Sequence, residues 1–455
     1  MRPREGMASM LGASQGIASA PSLTGDHDAD KTVLRDFLGK GEELLSGLPA
    51  PAGRSAAQAS LAQDIHRASR QARMRFMTAH GQRVHDELTA GQRIGPRLSE
   101  LTAAAASRYP GLVPARGQLA QESGRWQADK EGREIDQGIF VRGLLSQPVA
   151  GAAVIRAMLR PTDRAQDLLA GFRRRGEIEL ATVSVARQGT AALLTIQNGE
   201  FLNAEDDQLA DDLEVAVDLA LLDDQVRVGV LRGGTMSHPR YAGRRVFCSG
   251  INLSHLHQGK ISFLRFLIGR ELGFINKMKR GLAADDEDWM PEAVAEKPWI
   301  AAVDAFAIGG GMQILLVCDH IIAASDAWFS LPAAREGIVP GVANLRLTQL
   351  MGGRLTRQLI LGEKRIEAAD PEAALICDEV AASADMEAAI EASVARLGTS
   401  AVVPNRRMIN LAEEPLDCFR VYMAQFALEQ ARRLYDPEVL ANVAARWLAR
   451  SRRTA

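Results

Sequence analysis

The sequence predicts an α/β core of strand–helix–strand units behind an all-helical N-terminal domain. Two observations lead there. Apolar residues recur at helical spacing between residues 31 and 177, and from about residue 178 short β-like runs alternate with longer helical stretches. The length, 455 residues, suits two or three domains of about 150 residues each. With 47% hydrophobic and 24% charged residues there is material for a sizeable core, and disordered, collagen-like or mucin-like chains are excluded.

Residues 1–30, rich in Ala, Ser, Gly and Asp without a sustained period, read as a mobile leader. In 31–177, Leu61, Ile65, Ala68, Ala72 and Phe76 share one helix face, while Pro110, Pro114, Pro148 and Pro161 divide the segment into several helices. His66, His80 and His85 stand among polar helix positions and are expected in solvent. The core, 178–385, opens with strands over 179–185 and 191–196 around a polar Arg187-Gln188-Gly189-Thr190 turn. An amphipathic helix over 207–222 and a strand over 226–231 follow, with further strands at 299–303 and 320–324. Residues 386–455 form a C-terminal helical region.

Lys and Arg total 54 against 56 Asp and Glu, a formal net charge of -2, so no global field draws in nucleic acid or an anionic membrane, and neither partner is expected. No apolar run approaches the roughly 18–20 residues that span a bilayer, and no signal-peptide core is present. Cys248, Cys318, Cys377 and Cys418 form neither a CxxC pair nor a disulfide ladder, which predicts free thiols and a cytoplasmic location.

Two stretches carry chemistry. Arg244 to Leu253 reads as a strand that breaks at Ser249-Gly250 and hands over to a helix, and Val303 to Asp319 carries Gly309-Gly310-Gly311 at a second strand-to-helix junction. Glycines there leave backbone N–H groups uncovered at the positive end of a helix, where an anion is stabilised; a lone glycine run serves a tight packing turn equally well.

Together and in this order the two junctions resemble the crotonase (enoyl-CoA hydratase/isomerase) superfamily over residues 178–385. Asn203-Ala204, Leu331-Pro332, Gly337-Ile338-Val339-Pro340-Gly341 and Leu361-Gly362 through Ile366-Glu367-Ala368 add to the match. The resemblance implies an α/β crotonase fold, a ClpP-like spiral of ββα units. It implies an oxyanion hole for a thioester enolate, with Ile251 and Gly310 each giving a backbone N–H. It further implies homotrimers, often paired into hexamers, with residues 386–455 closing the acyl pocket or the trimer interface.

Hydratases of this superfamily use two glutamates as acid and base, and Gln313 and Ala333 stand at those places here. Neither can accept and return a proton at neutral pH, so hydration is not expected; Glu336, three residues on, is a candidate replacement base. The long Gly234–Arg245 segment and the preceding helical domain resemble instead the superfamily's cofactor-independent dioxygenases of arylacetyl-CoA thioesters. That resemblance implies 3,5-dihydroxyphenylacetyl-CoA and O2 as substrates, 3,5-dihydroxyphenylglyoxylate and CoA as products, no cofactor and no metal, and a place in dihydroxyphenylglycine supply for antibiotic biosynthesis. It assigns the ring hydroxyls to Glu205, His238, Arg270 and Gln313, and an apolar oxygen pocket to Leu253, Ala333 and Ile338 beside Ile251. Arg244, Arg245 and Lys260 are candidates for the CoA phosphates. Three alternatives stand beside it: an acyl-CoA hydrolase or isomerase on the same fold, a metal-dependent oxygenase using His255-Leu256-His257 with His238, and an assembly protein without chemistry.

Overall fold

The computed structural model describes residues 19–91, 95–283 and 294–454. They divide into two compact units: the chain up to Val154 with 257–260 and 423–440, and residues 155–256, 261–422 and 441 onward.

The first unit is helical. Its longest helix, Ala56–Thr89, begins at a reciprocal cap in which Gln58 N donates to Ser55 Oγ (3.4 Å) and Ser55 N donates to Gln58 Oε1 (2.9 Å). Ile65, Ala68, Ala72 and Phe76 are buried along one face, with Leu61 half-buried at its edge. The helix Arg133–Ser146 packs so closely here that a Cβ on Gly143 would lie 2.6 Å from Met77 Cβ. Only glycine fits that crossing.

Three expectations are corrected in this unit. The helix His27–Ser46 starts inside the stretch read as leader, because the Asp26 carboxylate accepts from Ala29 N (2.8 Å) and caps it; residues 1–18 of the leader lie outside the described residues. His66, His80 and His85 are buried rather than solvated. Carboxylates from other elements make this tolerable for two of them, with His80 Nε2 2.8 Å from Asp30 Oδ2 and His66 Nε2 2.7 Å from Glu131 Oε1. Residues 423–440, read with the C-terminal region, belong to this unit, and Met423, Phe426, Ala427 and Leu434 are buried in it.

The second unit is built on strands β1 (Glu177–Glu179), β2 (Val183–Gln188), β3 (Ala191–Ile196), β4 (Val228–Gly233), β5 (Leu282–Ala283), β6 (Val294–Ala295), β7 (Trp299–Val303), β8 (Phe306–Ile308), β9 (His320–Ala324), β10 (Trp328–Ser330), β11 (Arg365–Glu367) and β12 (Glu379–Ala381). The main sheet runs β1-β2-β3-β4-β7-β9-β12, antiparallel over its first three strands and parallel from β3 onward. A smaller sheet runs β11-β10-β8, and β5 pairs with β6.

The expected first strand is split in two, because Asp212 on the helix Asp207–Leu222 captures Thr182 N and Oγ1 (both 2.9 Å) and breaks the run between β1 and β2. That helix starts at its expected residue, with Asp206 accepting from Leu209 N (3.1 Å) as cap. The parallel strands β4, β7 and β9 are buried along their whole length, as a sheet covered on both faces requires. Among the described residues no single helix is long and apolar enough to cross a membrane.

Burial in the helical unit pushes the Glu131 carboxyl up, but hydrogen bonds from His66 and Arg54 outweigh it and hold the group at about 2 instead of 4.5. Stability from this carboxylate is therefore fully present above about pH 4.5 and lost as pH falls toward 2. Glu131→Gln is expected to remove roughly 3 kcal/mol of pH-dependent stability over that window, read from urea unfolding at stepped pH.

Candidate active site

Two chain junctions meet at the end of the smaller sheet. Coming from the long segment, Cys248 bridges to Ala307 of β8, and Ile251 bridges in parallel to Glu205. Glu205 N donates to Gly250 O and Asn252 N donates to Glu205 O, both at 2.7 Å. In a parallel ladder the bracketed residue turns its own N–H to the other side. Ile251 N accordingly has no acceptor among the described residues.

From the other direction β8 ends at Ile308, Gly309 turns the chain at φ 55°, and the helix Gly310–Leu315 begins. Gly309 N donates to Ser330 O (2.9 Å) and Gln313 N to Gly309 O (3.1 Å), while Gly310 N, at the helix start, has no acceptor among the described residues. Gly250, at φ 86°, brings the junctions together: a Cβ there would lie 3.5 Å from Gly310 N. Each open N–H belongs to a peptide whose carbonyl already accepts a hydrogen bond, which polarises the group toward an incoming anion.

Beneath the junctions lies a buried ionic cluster of Glu205, Arg270, Glu271 and Gln313. Arg270 Nη1 donates to Glu271 Oε1 and to Gln313 Oε1 (both 2.6 Å), and Nη2 donates to Glu205 Oε1 and Gly310 O (both 3.1 Å). Its Nε lies 2.8 Å from Glu205 Oε2, an ion-pair contact without hydrogen-bond alignment. Burial opposes the Arg270 charge, but Glu205 and Glu271 outweigh it and raise the group above its ordinary value. Arg270 is presented by a π-helical stretch, Phe263–Ile268, that switches into the single turn Gly269–Leu272. The Glu205 carboxylate lies so close to the second junction that a Cβ on Gly310 would sit 2.6 Å from its Oε2. Burial, then Glu205, push the Cys248 thiol well up, so it stays protonated; Sγ accepts from Gly250 N (3.3 Å) and donates to Glu205 Oε1 (3.5 Å).

The structure thus brings Ile251 N and Gly310 N side by side, and Glu205, Arg270 and Gln313 into one cluster beneath them. Arg270 Nη1 and Nη2 are both spent on protein acceptors. His238 is exposed and lines a hollow of about 320 Å³ together with Ile251 and Leu253. Ala333 is buried and Ile338 half-buried in the turn after β10, joined by the Ile338 N to Ala333 O bond (3.2 Å), and neither lines that hollow. Glu336 is half-buried in the same turn. Of the phosphate candidates, Arg244 pairs with Asp326 (2.8 Å), Arg245 lines a separate hollow beside Thr235, and Lys260 is exposed in the helical unit. His255 and His257 find different partners: His255 Nδ1 is 3.0 Å from Asp206 Oδ2, and the His257 ring lies 4.7 Å from that of Trp126.

Two members of the site have no distinctive sequence signal. Glu271 is legible only as an acid next to Arg270. Tyr422, whose hydroxyl donates to Gly341 O (2.7 Å), lies some eighty positions from its acceptor.

Residues 186–406 match the enoyl-CoA hydratase/isomerase family. The (3,5-dihydroxyphenyl)acetyl-CoA 1,2-dioxygenase of Amycolatopsis orientalis is 53% identical over 424 residues, covering 93% of this chain and 97% of that one. The short-chain-enoyl-CoA hydratase of Clostridium acetobutylicum is 31% identical over 193 residues, 42% of this chain and 65% of that one. A solved enoyl-CoA hydratase/isomerase from Pseudoalteromonas atlantica T6c aligns at TM-score 0.49 and 22% identity, covering 59% of this chain and 97% of that one.

Arg270→Met would leave two buried carboxylates without their counter-charge. It is expected to cost about 3–5 kcal/mol in denaturant unfolding, with Arg270→Lys recovering only part because one ammonium cannot reach four acceptors. Unchanged stability in Arg270→Met would contradict the cluster.

Proposed function

Because the chain belongs to the enoyl-CoA hydratase/isomerase (crotonase) family, we propose that it is a cofactor- and metal-independent dioxygenase that converts 3,5-dihydroxyphenylacetyl-CoA and O2 to 3,5-dihydroxyphenylglyoxylate and CoA. The observation that carries the proposal is the pairing of two open, adjacent backbone donors with Gln313 and Ala333 at the positions where hydratases of this family hold their glutamates. The site can stabilise a thioester enolate but lacks the pair of groups that would add water. The likeness to the Amycolatopsis dioxygenase, which runs through the helical unit as well as the core, supports the choice of reaction.

The chemistry follows from charge. Loss of a benzylic α-proton gives an enolate shared between the aromatic ring and the thioester oxygen, and Ile251 N and Gly310 N hold that oxygen. The electron-rich enolate passes an electron to O2, and the two recombine as a peroxide on the α-carbon. The distal peroxide oxygen attacks the thioester carbonyl and expels CoA as thiolate. Loss of the second α-proton with cleavage of the O–O bond then gives the α-keto acid. Both oxygen atoms enter the product and the two α-hydrogens leave as protons, so no external reductant is needed.

Glu205 and Gln313, oriented by Arg270, supply polar partners for the ring hydroxyls, with His238 at the mouth. Leu253, Ala333 and Ile338 are the apolar side chains assigned to O2. Exposed Met408, Ile409, Leu411, Leu416 and Val421 on the C-terminal helices give a surface that assembly into trimers or hexamers would bury. The four unpaired cysteines support a reducing, cytoplasmic setting.

With chelator present, the protein is expected to consume one O2 per CoA released from 3,5-dihydroxyphenylacetyl-CoA, measured by oxygen electrode and thiol assay. Thiol release without O2 uptake would make it a hydrolase, and loss of activity on metal removal would return the metal-dependent reading. Gly310→Ala keeps the N–H but its Cβ would meet and displace the Glu205 carboxylate, and it is expected to slow turnover by about 100-fold, the scale of a misplaced group at the reacting centre.

A further inference from the structure

Glu271 takes no part in the chemistry described above, yet it is 1% exposed and occupies both of its oxygens. Oε1 accepts from Arg270 Nη1 (2.6 Å), and Oε2 accepts from Val342 N in a longer bond (3.4 Å). The backbone between these contacts is built around it. Gly341, at φ 47°, passes so close that a Cβ would lie 2.1 Å from Glu271 Oε1 and 2.8 Å from Gln313 Oε1. The same glycine's carbonyl accepts from Tyr422 Oη (2.7 Å), which pins it from the other side. Burial, then Glu271, push the Tyr422 phenol up, so it remains a donor at neutral pH.

We propose that Glu271 is a positioning residue that sets discrimination for a hydroxylated ring, by tying the Arg270 guanidinium to the backbone at Gly341 and Val342. The inference rests on the dioxygenase reading above, in which Glu205 and Gln313 meet the ring hydroxyls. One guanidinium nitrogen, Nη1, is shared between Glu271 and Gln313, so the direction of that nitrogen fixes where the Gln313 amide points. Two donors converge on the Glu271 side chain from opposite partners, and only a carboxylate offers two acceptors. A glutamine would satisfy one and turn its NH2 against the other, either the guanidinium or Val342 N–H. The peptides that carry the two open N–H groups keep backbone bonds of their own, Glu205 N to Gly250 O and Gln313 N to Gly309 O, in addition to the Arg270 Nη2 bond to Gly310 O. The loss therefore falls on ring recognition.

The test is anaerobic calorimetric titration with 3,5-dihydroxyphenylacetyl-CoA and with phenylacetyl-CoA, on the wild-type protein and on Glu271→Gln. The wild type is expected to bind the dihydroxylated thioester at least about tenfold more tightly, the scale of one or two hydrogen bonds to charged groups. In Glu271→Gln that ratio should fall to within about threefold of unity while phenylacetyl-CoA affinity changes by less than about threefold. A purely structural carboxylate would weaken both thioesters together and leave the ratio intact, and that result overturns the proposal. Should Glu271→Gln not fold, Glu271→Asp keeps both acceptors one methylene short; a narrowed ratio supports the role and an unchanged one overturns it. Failure of the dioxygenase reading shows earlier and separately, as a wild type that takes up no O2. A wild type that consumes O2 yet binds both thioesters equally overturns the positioning role alone.

Discussion

The site is organised by one buried guanidinium. Arg270 has five N–H donors in a rigid plane, and around it the chain places two carboxylates, an amide oxygen and a backbone carbonyl. Two buried carboxylates without it would face several kcal/mol of desolvation each. With it, residues from four separate stretches of chain, at 205, 270–271, 310–313 and 341–342, are held in one piece. The glycines at 310 and 341 follow from the same arrangement, since each leaves room for a carboxylate that the guanidinium has drawn in.

The two open N–H donors at Ile251 and Gly310 are backbone groups, and the side chains around them make separate contacts. Ile251 can vary without altering its N–H, whereas Gly310 cannot gain a Cβ without displacing Glu205. In the proposed reaction, stabilising an enolate and choosing an acyl group would thus fall to different atoms of neighbouring residues. A fold so divided can change its reaction by exchanging a few side chains, such as those at positions 313 and 333, while the backbone donors stay in place.

Much of this was legible in the sequence where the signal is local. The helix over 207–222, the strands at 299–303 and 320–324 and the glycine junction at 309–311 stand where periodicity and glycine placement put them, whereas the stretch read as a strand from Arg244 to the first junction pairs only through isolated bridges such as Cys248 to Ala307 before the helix Leu253–His257. What was not legible depended on distant partners. The buried histidines look like surface positions until Asp30 and Glu131 are brought to them, and the break between β1 and β2 needs Asp212 from a later helix. At the site, Glu205, Arg270 and Gln313 were drawn together by family resemblance. Glu271 and Tyr422 were missed, because no periodicity marks an acid beside an arginine or a tyrosine far down the chain.

The first unit is discontinuous, and this bears on how the protein is made. Residues 423–440 supply buried side chains to a unit whose other helices come from the first 154 residues. A ribosome delivers those helices first, then the whole stretch that forms the core, and only then the segment that completes the earlier unit. The helical unit must wait with part of its apolar surface open while the core is synthesised, the interval in which a nascent chain is most exposed to aggregation and to chaperones. Its last step is docking of residues 423–440 onto helices formed much earlier in the chain.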